Sequence, residues 1–369
     1  MYKRNLVVGA GLSGATVARL LSDYGERIIV LERREHVAGN CFDFRDDNGI
    51  LVHKFGSHIF HTSNDKAWDF VRRFADFNQY SHRVFGIVDG ITIPIPFNLN
   101  SLHSLFSESV ANLLEKKLID TYGYGKRLPI IEFLNQDDGD LKELARFVYD
   151  VIYLHYTYKQ WGYIPSEIDN SIMDRVPICI SRDDNYFQDK YQGIPVCGYT
   201  EMIRRMLDST NIEVRLNTEF KKDYLDQYDR VFYTGPIDEF MNYKYGLIPY
   251  RSLRFELKTY NREHVLPNAV INYPSADYEY TRQHEYKYYL NDKSNKTVVA
   301  TEYPEPFELE KNNRYYPVLK DENILLYNKY LKDVKQIKNL FFLGRLGDYR
   351  YYDMDKAIIR AMDVVDLLK

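Results

Sequence analysis

The stretch "NLVVGAGLSGATVARLLSDYGERIIVLE" (Asn5–Glu32) decides the fold. Asn5 to Val8 reads as a buried strand, and the turn Gly9-Ala10-Gly11-Leu12-Ser13-Gly14 follows it. Ala15, Ala18, Leu20 and Leu21 then supply a mostly apolar helix, and Arg27 to Leu31 is a second strand that ends on Glu32. A bare glycine pattern of this spacing says little. Set between a strand and a helix, with an acid closing the second strand, it describes a βαβ unit that binds an adenine dinucleotide. Gly9, Gly11 and Gly14 let the backbone approach a pyrophosphate, and the helix N-terminus adds N–H donors and the positive end of its dipole. Glu32 offers a carboxylate to ribose hydroxyls.

Around this unit the chain runs to 369 residues, too long for one simple core and enough for two or three domains. A net charge of -4 gives no field that would gather nucleic acid or an anionic membrane. No apolar run reaches the roughly 18 residues a membrane span needs. The N-terminal "MYKRNLVVGAGLSG" passes directly into strand and glycine turn without the form of a signal peptide, so a cytoplasmic location is expected. Cys41, Cys179 and Cys197 are scattered and odd in number, which argues against a disulfide framework or zinc site and fits a reducing compartment. Tyrosine, at 34 residues, is abundant. Its ring and hydroxyl suit sugar and nucleotide pockets, although packing accounts for many of them equally well.

Further along, Lys66 to Phe77 carries Ala67, Phe70, Val71 and Phe74 on one helical face. Leu141, Leu144, Ala145, Val148 and Ile152 recur at helical spacing after cap-like acids, and residues 99–161 show little β-alternation, so a helical insert is expected. Between Tyr243 and Tyr303, "YRSLRFELKTY", "NAVINY" and "TVVATEYP" read as strands of an antiparallel sheet. The closing "NLFFLGRLGDYRYYDMDKAIIRAMDVVDLL" is again strand, glycine turn and helix, and it is expected to return to the first domain.

Seven segments in order narrow the field. They are "KFGSHIFHTSND", "YTYKQWG", "DDNYFQDKYQGIPVCGYTEMI", "YTGPID", "NAVINY", "YTR" and "GRLGDYRYYDM". Together they resemble the bacterial UDP-galactopyranose mutase family, nearly end to end. The resemblance implies an α/β plus α+β architecture: a Rossmann-type FAD-binding domain, a helical insert domain and a twisted antiparallel β-sheet domain. On the chain these become residues 1–78, 197–240 and 338–369 for the FAD domain, and 99–172 for the helical domain with a mobile loop near its end. The sheet domain takes 79–98, 173–196 and 241–337. The implied activity interconverts pyranose and furanose forms of a nucleotide sugar with no net redox change, although the flavin must first be reduced, by NADH or NADPH for example. Reduced flavin N5 is the implied nucleophile at the anomeric carbon. A homodimer is also implied, with no metal, nucleic acid or membrane partner.

The family motifs assign residues. Gly9, Gly11, Gly14, Glu32, Asn40, His58, His61, Arg345 and Asp353 map to the cofactor, with His61 at the flavin. Read alone, His58 and His61 could be a metal pair or satisfied core histidines, but no third ligand of suitable spacing stands out. A departing nucleoside diphosphate gathers negative charge and needs cations and hydroxyls around it. Arg175 in "DRVP" and Arg282 in "YTR" match the family's diphosphate arginines, Arg175 on the mobile loop, and Tyr186, Tyr316 and Tyr351 line the phosphate end. Tyr156 stacks on the base beside Thr157, Trp161 belongs to the mobile-loop region, and Asn272 lies near the sugar pocket. The catalytic set is His61, Arg175, Arg282, Arg345 and Tyr351. Without the motifs, a solvated surface position would be the ordinary reading of each arginine.

Four departures from the family pattern touch recognition of sugar and base. His82 stands where asparagine is usual, Cys179 replaces an arginine, Ile152 replaces an aromatic, and "QHEYKYY" follows Arg282 in place of a commoner sequence. UDP-galactopyranose and dTDP-fucopyranose, a 6-deoxy sugar on a thymine base, both remain open as substrates. The rival from another class is an FAD oxidoreductase sharing only the N-terminal domain. "YTYKQWG" and "DRVP" argue against it, since a simple oxidase has no use for a diphosphate clamp.

Overall fold

The computed structural model describes residues 3–368, which divide into two compact units. Of these, the first takes residues 3–80, 189–250 and 309–368, and the second takes Ser81–Gln188 and Arg251–Glu308.

In the first unit the sequence-derived βαβ element forms as Arg4–Val8, Leu12–Asp23 and Arg27–Leu31. Leu6, Leu31 and Val231 are fully or almost fully buried and form one core cluster. Arg27–Leu31 and Arg230–Tyr233 flank Arg4–Val8, with Ile212–Arg215 and Leu340–Phe342 outside them. Every pairing is parallel. Numbered along the chain, the order is 3-2-1-4-5, that of a doubly wound dinucleotide fold, whose ligand crevice opens where the order reverses. The closing helix, Met354–Asp366, packs against Leu12–Asp23, as the return of the C-terminus required. The helix expected over Lys66–Phe77 is shorter, Asp65–Arg72, and starts from an Asn64 side chain that accepts the Ala67 N–H.

Two segments expected in the sheet domain belong to this unit instead. Tyr191–Gly193 pairs antiparallel with Phe60–Thr62. The helix Asp321–Val334 is tied by the Tyr330 hydroxyl, which donates to Gly246 O at 2.6 Å, and by the Tyr327 hydroxyl, which donates to Gly347 O at 3.1 Å.

In the second unit the expected helical and sheet regions form one body. Gln160 Oε1 in the helix His155–Trp161 accepts the Thr281 hydroxyl at 3.1 Å, and Arg251 reaches the carbonyls of Lys159 and Gln160 from the sheet. The strands Tyr250–Tyr260, Thr297–Pro306, Arg282–Glu285, Val270–Asn272, Val84–Val88 and Ile91–Ile95 lie in that spatial order. The sheet is antiparallel except between Val270–Asn272 and Val84–Val88, which run parallel. A π-helical turn, Tyr149–Leu154, precedes the helix His155–Trp161. Such turns concentrate at functional sites.

Candidate active site

Gly9 has φ +101°, and a Cβ there would lie 2.1 Å from Thr234 Oγ1. A Cβ on Gly14 would lie 1.9 Å from Gly9 O, so the helix can start this close to the strand only with glycine. A Cβ on Gly11 would meet the Gly39 backbone at ordinary contact, Cα at 3.7 Å and N at 3.9 Å. No side chain caps the helix Leu12–Asp23, and no acid stands in its first turn. Its leading N–H groups and dipole suit a pyrophosphate. Gly344, φ +83°, lies against Ser13, so the C-terminal strand ends beside the same turn.

Glu32 is buried, with Oε2 accepting Ala10 N–H at 2.9 Å and Oε1 accepting Arg34 N–H at 3.0 Å. These two bonds fix the carboxylate at the glycine turn and leave lone pairs for ribose hydroxyls. Asn40 follows Ala38 and Gly39, both at positive φ, and its Oδ1 accepts both terminal nitrogens of Arg34 at 3.1 Å. Arg34 also lies 5.0 Å from the Phe55 ring centroid.

His58 and His61 part company. His58 Nδ1 lies 2.7 Å from Gly56 O, and its backbone N–H donates to His53 Nδ1. Burial, then His53 and Arg345, push His58 down to about 3, so it is neutral at physiological pH. His61 Nδ1 lies 2.7 Å from Asp189 Oδ2, and Ser63 donates to the other carboxylate oxygen at 2.9 Å. A carboxylate accepts, so Nδ1 carries the proton and Nε2 is the acceptor of the neutral ring. Arg345, Tyr316 and Tyr351 meet in the same unit. The Arg345 guanidinium lies 5.3 Å from the Tyr316 ring centroid, and the Tyr316 and Tyr351 rings stack at 5.2 Å. Asp353 stands at the N-cap position, just before the closing helix, and makes no side-chain capping bond to it.

The second unit brings Tyr156, Arg282 and Asn272 together. The Arg282 guanidinium lies 5.9 Å from the Tyr156 ring centroid, and Arg282 pairs with Asn272 across the hairpin register. Asn272 Oδ1 is buried with no hydrogen-bond partner among the described residues. An acceptor in that state is costly unless a ligand satisfies it. Arg282 Nε lies 3.1 Å from Glu302 Oε1, and His284 Nε2 lies 3.0 Å from Glu302 Oε2. Burial pushes Glu302 up, but Arg282 and His284 outweigh it and hold the carboxyl below its usual range. Burial lowers His284, which is therefore neutral and donates to Glu302. Thr157 and Trp161 are buried on the Tyr156 helix. His82 is buried against Tyr186 and Phe187, each at 5.6 Å between centroids. Arg175 stands on an exposed turn after the short helix Asn170–Met173.

Asp189, Arg34 and Glu302 were not singled out by sequence. Arg34 could have been, two residues beyond the acid that ends the strand. Asp189 gave no local signal: only strand pairing brings it to a histidine 128 residues away. Among the described residues no cluster of three or more His, Cys, Asp and Glu could hold a metal, and no helix is long and apolar enough to cross a membrane.

The parallel sheet and its glycine turn define a protein of the Rossmann-like dinucleotide-binding class, and the second unit groups Tyr156, Arg282 and Asn272. A family model described as an NAD(P)-binding Rossmann-like domain matches residues 7–74, and one described as UDP-galactopyranose mutase matches residues 151–351. The chain belongs to the UDP-galactopyranose mutase family, and it is an isomerase. It is 38% identical to a protein of Klebsiella pneumoniae named as a probable UDP-galactopyranose mutase, over 99% of this chain and 94% of the other. It is 35% identical to a dTDP-fucopyranose mutase of Escherichia coli, over 98% and 97%. The crystal structure of a reduced UDP-galactopyranose mutase shares its fold, with a TM-score of 0.75 at 16% identity, over 99% of this chain and 95% of that one. Likeness along the whole chain sets aside the oxidoreductase that would share only the N-terminal domain.

Proposed function

We propose that the protein binds FAD and, with the flavin reduced, interconverts UDP-galactopyranose and UDP-galactofuranose. The observation that carries this is the grouping of Tyr156, Arg282 and the unsatisfied Asn272 acceptor in one unit. It offers an aromatic face for a base, a cation for a diphosphate and an acceptor for a sugar hydroxyl. The relative from Klebsiella supports the choice of nucleotide sugar.

The donor set fits FAD. The uncapped helix start takes the pyrophosphate and Glu32 the ribose, while Asn40, held by Arg34, His58, Arg345 and Asp353 line the remaining cofactor positions. When bound and reduced, FAD supplies a nucleophilic N5 that its oxidised form lacks. His61, its tautomer set by Asp189, presents Nε2 as an acceptor at the flavin edge. Arg282, oriented by Glu302, and Arg175 stabilise the charge that grows on the diphosphate as the C1–O bond breaks. Tyr186 adds a hydroxyl at that end and Thr157 and Trp161 support the base, while Tyr316 and Tyr351 offer hydroxyls to the phosphates from beside Arg345. The reading carries a cytoplasmic homodimer and a nicotinamide reductant as further proposals.

A second reading, dTDP-fucopyranose mutase, is favoured by one observation: a buried imidazole, His82, sits beside Tyr186 where family members usually carry the smaller asparagine. Reduced enzyme offered UDP-galactofuranose and dTDP-fucofuranose in parallel decides between them. The first reading expects the larger kcat/KM on UDP-galactofuranose; a clear preference for the thymidine substrate replaces it with the second.

A further inference from the structure

The motif "YTYKQWG" contains a lysine that the proposed chemistry leaves unused. Lys159 Nζ lies 2.6 Å from Tyr273 O, 2.7 Å from Ser275 O, 3.0 Å from Tyr278 O and 3.1 Å from Tyr280 O. These four carbonyls belong to one hairpin loop. Its feet are Asn272 and Arg282, paired with each other across the strands Val270–Asn272 and Arg282–Glu285. Four carbonyl oxygens converging on one point repel each other unless a cation sits among them, so the loop's shape depends on the ammonium. Burial lowers Lys159 to about 8, with Asp277 opposing, and the amine stays protonated at pH 7.

The other end of the lysine is equally fixed. It lies three residues after Tyr156 and therefore on the same helical face. Arg251 donates to the carbonyls of Lys159, at 3.0 Å, and Gln160, at 2.8 Å, and Gln160 Oε1 accepts from Thr281 at 3.1 Å. Two consecutive residues of the motif thus bind the hairpin, one to its loop and one to the residue before Arg282.

We propose that Lys159 is a positioning residue: it gathers the loop Tyr273–Tyr280 and so sets Arg282 and Asn272 at a fixed distance from the Tyr156 ring. The inference rests on the reading of these three residues as the nucleotide-sugar site. On this reading the lysine acts on nucleotide affinity through the loop, whose carbonyls take its ammonium. Without the ammonium the loop carbonyls turn to water, and Arg282 loses its place relative to the base.

The test uses FAD-loaded protein and four forms: wild type, Lys159→Gln, Lys159→Met and Lys159→Cys. UDP and dTDP binding are titrated directly, and kcat and KM are measured on reduced enzyme. The expected order of affinity is wild type, then Gln, which keeps two amide donors, then Met, with Kd and KM for Met raised about tenfold or more. FAD content and flavin spectrum stay unchanged. Aminoethylation of Lys159→Cys, checked by mass and against identically treated wild type, rebuilds an ammonium at the same reach and is expected to restore affinity. Met keeps most of the stem without the charge, so a role in packing alone would leave the Lys159→Met variant at wild-type affinity. Wild-type affinity in the Gln and Met variants, or modified Lys159→Cys binding no better than the unmodified form, overturns the inference. If wild type binds UDP or dTDP but turns over neither sugar nucleotide, the mutase reading fails while the binding series still judges the lysine.

Discussion

Glu302 makes Arg282 useful by holding it from one side. The carboxylate is buried, hydrogen-bonded with His284 and ion-paired with Arg282, which holds the guanidinium beside it. Arg282→Ala and Arg175→Ala are each expected to cost about 2–4 kcal/mol of transition-state stabilisation, roughly a hundredfold or more in kcat/KM, with the FAD spectrum intact. Near-wild-type kinetics in either variant would remove that arginine from the clamp. His58 makes a different prediction. Its pKa is about 3 in the folded protein and near 6.5 once unfolded, so its contribution is complete above pH 6.5 and is lost as the pH falls towards 3. Between pH 7 and pH 5 that amounts to about 2 kcal/mol of stability. Denaturant titrations of wild type and His58→Gln at both pH values should show a steeper loss in wild type; parallel losses would contradict it. His82→Asn is expected to shift relative kcat/KM towards UDP-galactofuranose and away from UDP-fucofuranose, because the smaller amide opens space beside Tyr186 for a 6-hydroxymethyl group. An unchanged ratio would place sugar selectivity elsewhere.

At the scale of elements, the glycine turn fixes how closely strand and helix meet. Gly14→Ala places a methyl group 1.9 Å from Gly9 O, a clash with backbone that no rotamer relieves. FAD affinity is expected to fall at least about tenfold, read by flavin retention on gel filtration, because the helix start must withdraw from the pyrophosphate. Full retention would mean that the turn does not hold the cofactor. The same stretch explains what the sequence makes legible. Strand, turn, helix and strand are local patterns, and each appears within a residue or two of its reading. The Asp321–Val334 helix belongs to the first unit for a reason no local pattern carries: the tyrosine hydroxyl bonds that tie it to Gly246 and Gly347 join residues separated along the chain. Asp189 escaped notice for the same reason. The π-helical turn before the Tyr156 helix carries the ordinary apolar spacing of an α-helix, so periodicity could not separate them.

For the whole molecule, the site residues fall into two groups carried by two units: the dinucleotide group with Arg345, Tyr316 and Tyr351, and the group of Tyr156, Arg282 and Asn272. Ordered family motifs made most of these residues legible, whereas their supporting partners, Asp189, Arg34, Glu302 and Lys159, became visible only through geometry. In the proposed reaction a redox cofactor serves chemistry with no net redox change. The decisive measurement reduces the FAD-loaded protein once under anaerobic conditions, removes excess reductant, and counts UDP-galactopyranose formed from UDP-galactofuranose per enzyme. Many turnovers are expected from the single reduction and none from the oxidised enzyme. One product per reducing equivalent, or equal turnover by the oxidised form, would contradict it.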